Sequence, residues 1–135
     1  MRTIKFRGRR IDNGEWVYGD LEIRRKTGVC LIHTYNDDDT YKKQFEIGQE
    51  TVGLYTGLTD KNYREIYEGD IVKDERGKIG YVSWLQQECG FVIVWKKSDS
   101  RLGHRARGSG YEYDRSLEVI GNIYNDQDIL EGGAK

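Results

Sequence analysis

Short apolar runs separated by glycine and by charged clusters recur along the whole chain, and most of them alternate every second residue as half-buried strands do. "TIKFRGRRI" and "WVYGDLEI" flank "DNGE", in which Asn13-Gly14 favours a tight reversal, so a hairpin is predicted at the N-terminus. "RRKTG" turns the chain again, "VCLIHTY" reads as a mostly apolar strand and "NDDDTYKK" as a polar loop. "QFEIGQETVGLYTGL" then holds one or two further strands.

The stretch "YTGLTDKNYREIYEGDIVKDERGKIGYVSW" follows the same logic at closer spacing. Asp60, Lys61 and Asn62 form a turn, Glu68-Gly69-Asp70 a tight reversal feeding a strand from Ile71 to Lys73, and "DERGK" closes a hairpin onto "IGYVSWL". In "GFVIVW", Phe91, Ile93 and Trp95 share one face and Val92 and Val94 the other, which predicts a strand central in its sheet. "SLEVIGNIY" is the last strand, and Asn125 is expected to cap a helical turn, "DQDILE", whose Ile129 and Leu130 pack back on the sheet. "VYGDLEI" and "IYEGDIV" each set Gly-Asp before an apolar strand, which reads as one turn chemistry used twice. Runs this short fit a small barrel or sandwich, so the fold class is all-β. The expected divisions are an N-terminal hairpin-rich subdomain at 1–54, a small barrel at 55–124, and a helical turn and tail at 125–135.

Composition narrows function more than fold. Proline is absent and glycine occurs 17 times, so glycine supplies the special backbone turns. With 22 Lys plus Arg against 23 Asp plus Glu, bulk charge does not hold this chain to nucleic acid, although local basic surfaces remain open to it. No apolar run reaches the roughly 20 residues that span a bilayer, and "MRTIKFRGRR" lacks the apolar stretch of a signal peptide, so a soluble protein of the cytoplasm is expected. Cys30 and Cys89 form no CxxC pair and are expected to be free, buried, apolar side chains.

Catalytic signals are sparse. His33 and His104 have no metal-ligand spacing, and no nucleotide cradle or hydrolase elbow is present, so neither a cofactor nor a metal is expected. Asp37, Asp38 and Asp39 read as a solvated loop tip, and Glu68 with Asp70 is the one carboxylate pair that could act as acid and base. Two basic features stand out. Lys5, Arg7 and Arg9 share one face of an alternating strand. The segment at 96–110 carries Lys96, Lys97, Arg101, Arg105 and Arg107, with Tyr111, Tyr113 and Trp84 as rings that could stack on unpaired bases.

The blocks "IKFRGRR", "YTGLTDKNYREIYEGDIV", "GYVSW", "GFVIVW" and "LEVIGNIYNDQDIL", in this order, resemble the YopX family of small proteins encoded by phages and prophages. The resemblance spans nearly the whole chain. It implies a phage-derived, cytoplasmic, mainly β protein whose C-terminal part is like an SH3 barrel, and it brings no established activity or catalytic residue. Tyr63 and Arg64 stand where a Gly-Lys turn is common in the family, and the region between "GFVIVW" and "EVIGNIY" is variable there, so the basic segment is particular to this chain. The expected function is a non-enzymatic binding module that touches nucleic acid or a nucleic-acid-processing protein. The alternative is an assembly protein that acts as a homo-oligomer through strand edges.

Overall fold

The computed structural model describes residues 2–95 and 116–131. The chain divides into two compact units, Met1–Tyr55 and Thr56–Lys135. It is predominantly β: among the described residues two antiparallel sheets and one helical turn hold the regular structure. No helix of the described residues is long and apolar enough to cross a membrane.

The first unit contains β1 (Phe6–Arg9), β2 (Trp16–Arg24), β3 (Val29–Tyr35), β4 (Tyr41–Ile47) and the start of β5 (Gly53–Thr59), in the order β4-β3-β2-β1-β5. The first hairpin forms as its sequence predicts. Gly14 takes a φ of 78°, its N–H donates to Arg10 O at 3.0 Å, and Arg9 pairs with Trp16. Gly28, at a φ of 80°, closes the β2–β3 turn by donating to Arg24 O at 2.7 Å. Tyr41, Lys42 and Lys43, expected in a polar loop, instead open β4, because an edge strand tolerates exposed polar side chains on both faces. Cys30, Ile32 and Ile47 make the core of this unit, with Phe6, Val17, Leu21 and Val52 packed around them.

The second unit contains β6 (Glu65–Tyr67), β7 (Asp70–Lys73), β8 (Ile79–Leu85), β9 (Gly90–Trp95), β10 (Glu118–Asn122) and the helical turn α1 (Gln127–Glu131). Its four-stranded sheet runs β10-β7-β8-β9. The closed barrel expected from the sequence is therefore not what forms. Trp95, Gly80, Val72 and Val119 lie in one row across the sheet, and β9 and β10, the strands that would have to meet, are not paired with each other among the described residues. Among the described residues β9 pairs with β8 alone. Its two apolar faces are both buried: Ile93 joins the core cluster on one face and Val92 is 1% exposed on the other. Ile66, Val72, Val82, Leu117 and Val119 complete that core, with Phe91 and Trp95 packed against it. Ile129 and Leu130 of α1 are half-buried, and Asn122 and Asp126 brace the chain ahead of the turn. Asp126 Oδ2 accepts the Asn122 N–H at 3.1 Å, while Asn122 Oδ1 accepts the N–H groups of Tyr124 and Asn125 at 2.9 Å each.

Candidate functional site

The block from 60 to 70 is built around two buried carboxylates. Asp60 is 3% exposed, and its side chain accepts four-residue-scale and long-range bonds alike. Oδ1 takes the N–H groups of Asn62 at 2.8 Å and Arg64 at 2.9 Å, and Oδ2 takes that of Val119 at 2.9 Å. Burial pushes this carboxyl upward, but the three backbone donors outweigh it, and the net shift is below the usual carboxylate range. Beside it, the Lys61 N–H donates to Leu117 O at 2.8 Å, and Lys61 Nζ lies 3.6 Å from Glu118 Oε1.

The second reversal is tied to the same partner strand. Gly69, at a φ of 94°, donates to Val82 O at 2.8 Å and accepts from the Ile123 N–H at 2.9 Å. Asp70, 2% exposed, accepts the Tyr67 N–H on Oδ2 at 2.7 Å. Of the carboxylate pair considered for acid–base work, Asp70 is thus a buried backbone brace, while Glu68 is half-buried. Asp60 and Gly69 fasten the segment at 60–70 to residues 117–123, which explains why these two blocks of sequence go together: they close one small sheet.

Other candidates resolve separately. At the aspartate loop, Asp38 Oδ1 accepts from Thr40 N and Oγ1 at 3.0 and 2.6 Å, and Asp39 sits at a φ of 70°. Among the described residues no three His, Cys, Asp or Glu side chains gather as a metal shell. Cys30 is buried as expected, but Cys89 is exposed, because it occupies a left-handed position, φ 53°, in the turn that precedes β9.

Lys5, Arg7 and Arg9 share a face, yet that face is not an open phosphate platform. Lys5 Nζ lies 5.9 Å over the Tyr55 ring, and the Arg7 and Arg9 guanidinium carbons lie 4.7 and 6.0 Å over Trp16. Arg7 is only 4% exposed, so its planar head serves packing against the indole. Trp95 is partly buried against the core, with Lys78 Nζ 4.9 Å over its ring. Trp84 differs: it is 47% exposed and meets Phe91 edge-on at 5.2 Å across β8 and β9. Lys96, Lys97, Arg101, Arg105, Arg107, Tyr111 and Tyr113 lie outside the described residues.

Sequence reasoning missed one grouping. His33 Nε2 is 2.7 Å from Glu22 Oε1, and Nδ1 is 3.1 Å from the Tyr41 hydroxyl. Hydrogen bonding to His33, and then to Arg24, holds the Glu22 carboxyl below its ordinary range. A carboxylate-oriented imidazole can polarise a hydroxyl, but here the trio lies on the exposed side of β2, β3 and β4. Only the register, with Asp20 opposite His33 and Tyr35 opposite Tyr41, would have revealed it.

Comparison with known proteins adds one family and no named relative. No curated protein matches the chain. A family model described as YopX protein matches residues 5–131, nearly the full length and including both fastened blocks, so the chain belongs to the YopX family.

Proposed function

We propose that this protein is a non-enzymatic binding module that contacts single-stranded nucleic acid, working in the bacterial cytoplasm during phage growth or lysogeny. The observation that carries the reading is Trp84, a large ring left 47% exposed at one end of the four-stranded sheet and backed edge-on by Phe91. A base can stack on such a face without sequence preference, and the basic residues at 96–107 supply charge for phosphates. The buried acids support the same reading from the other side. Asp60 and Asp70 accept backbone N–H groups, a use that holds a scaffold and turns over no substrate. The phage setting follows from the family resemblance.

Titration of the purified protein with single-stranded DNA and RNA, read by tryptophan emission, tests the proposal. The logarithm of the affinity is expected to fall linearly with the logarithm of salt concentration, and Trp84→Ala to weaken binding about tenfold, the scale of one lost base stack. Absence of binding down to low ionic strength removes the reading. Assembly through strand edges is the second reading. Among the described residues β4 ends its sheet with Tyr41 to Gln44 exposed, but Lys42 and Lys43 on that strand oppose edge pairing with another copy.

A further inference from the structure

We infer that Tyr63 is a contact residue for single-stranded nucleic acid, its ring stacking on an unpaired base while Lys61 and Arg64 meet the phosphates on either side. The inference rests on the proposed function and assigns it a second contact surface.

Three features of the turn at 60–64 lead to it. Tyr63 holds a φ of 65°, a left-handed conformation that glycine adopts freely and a bulky side chain does not. Its side chain is nevertheless 86% exposed, so the ring contributes almost nothing to the core. Two other non-glycine residues share this conformation: Asp39, of a type that tolerates it through local hydrogen bonding, and Cys89, whose side chain is far smaller than a tyrosine ring. The fold thus accepts a strained backbone for a ring it does not bury, and strain of this kind gathers where a residue is presented to a ligand.

The presentation is rigid. The Tyr63 N–H donates to Asp60 O at 2.9 Å, Asp60 Oδ1 receives the neighbouring N–H groups of Asn62 and Arg64, and Lys61 N is bonded to Leu117 O. The backbone that carries the ring is fixed in this way, so the ordering that binding requires is confined to the side chain's own torsions. Its surroundings select the partner. Lys61 is half-exposed with Nζ beside Glu118, and Asn62 and Arg64 are exposed, so the ring stands among polar and cationic groups. A protein hot spot needs a collar of surrounding surface that excludes water, whereas a base needs one open ring face and nearby positive charge.

The experiment compares wild-type protein, Tyr63→Gly and Tyr63→Phe for binding to a fluorescently labelled oligothymidylate by anisotropy, with melting temperatures in parallel. Tyr63→Gly is expected to bind about tenfold more weakly or worse, with an unchanged or raised melting temperature, and Tyr63→Phe to bind like wild type. Wild-type affinity in Tyr63→Gly overturns the inference and leaves the proposed function standing. A lowered melting temperature in that variant also overturns it, since the ring would then be a structural part of the turn. Wild-type protein that does not bind the oligonucleotide at low salt removes both.

Discussion

Asp60→Ala is expected to lower the stability of the second unit by about 4 kcal/mol, measured by urea unfolding followed by circular dichroism, because it strands three backbone N–H groups at once. The Val119 bond matters most. It spans 59 positions of sequence and pins β10 to the turn before β6, so its loss loosens tertiary structure, whereas the Asn62 and Arg64 bonds shape only the local reversal. The direction of the Asp60 shift adds a pH signature. Its folded carboxyl titrates below the unfolded value of about 3.9, so the stability it contributes is fully present above that value and is lost as pH falls through the folded one. Asp60→Asn should therefore be destabilised at neutral pH but show a flatter acid limb than wild type. An unchanged acid limb would mean that the carboxylate is not what the three N–H groups rely on.

Gly19→Ala is the second large effect expected, about 3 kcal/mol, and it falls on the first unit. Gly19 lies inside β2, opposite Phe6, and a Cβ built there would sit well inside contact distance of the His33 carbonyl oxygen and 3.3 Å from Ile32 Cγ2. The obstruction is backbone in a paired strand, so no rotamer change relieves it, and β2 and β3 must separate. Amide exchange measured residue by residue is the appropriate probe. Protection should fall across β1 to β4 and stay at wild-type levels in β7 to β9. Uniform protection in both units would show that the strand pair can shift without cost.

Gly19 and Gly69 also mark where sequence reasoning reached its limit. Both precede Asp in similar surroundings and locally look like one turn chemistry, but Gly69 is in a turn at a φ of 94° while Gly19 is inside a strand, kept small by a neighbouring carbonyl. Turn chemistry is local, so the reversals at Asn13-Gly14, at Gly28, and at Asp74–Lys78, where Asp74 accepts from Arg76 and Lys78, were all legible. Sheet order is not local: that β10, β7, β8 and β9 stand in this row follows from no single run of residues. Polarity likewise concealed β4, since Tyr41 to Lys43 resemble a loop until an edge position is known. At the candidate site the exposed Trp84 was within reach of sequence argument. The reach of Asp60 to Val119 was not, because nothing in a turn motif states which distant N–H it will accept.

The fastening of 60–70 to 117–123 bears on how this scaffold can vary. Asp60 and Gly69 are met by the backbone N–H groups of Val119 and Ile123, so the side chains at 119 and 123 can change without removing either bond. Variation is thereby constrained at one end of each bond only: the Asp60 carboxylate and the Gly69 conformation must stay, while their partners supply main chain.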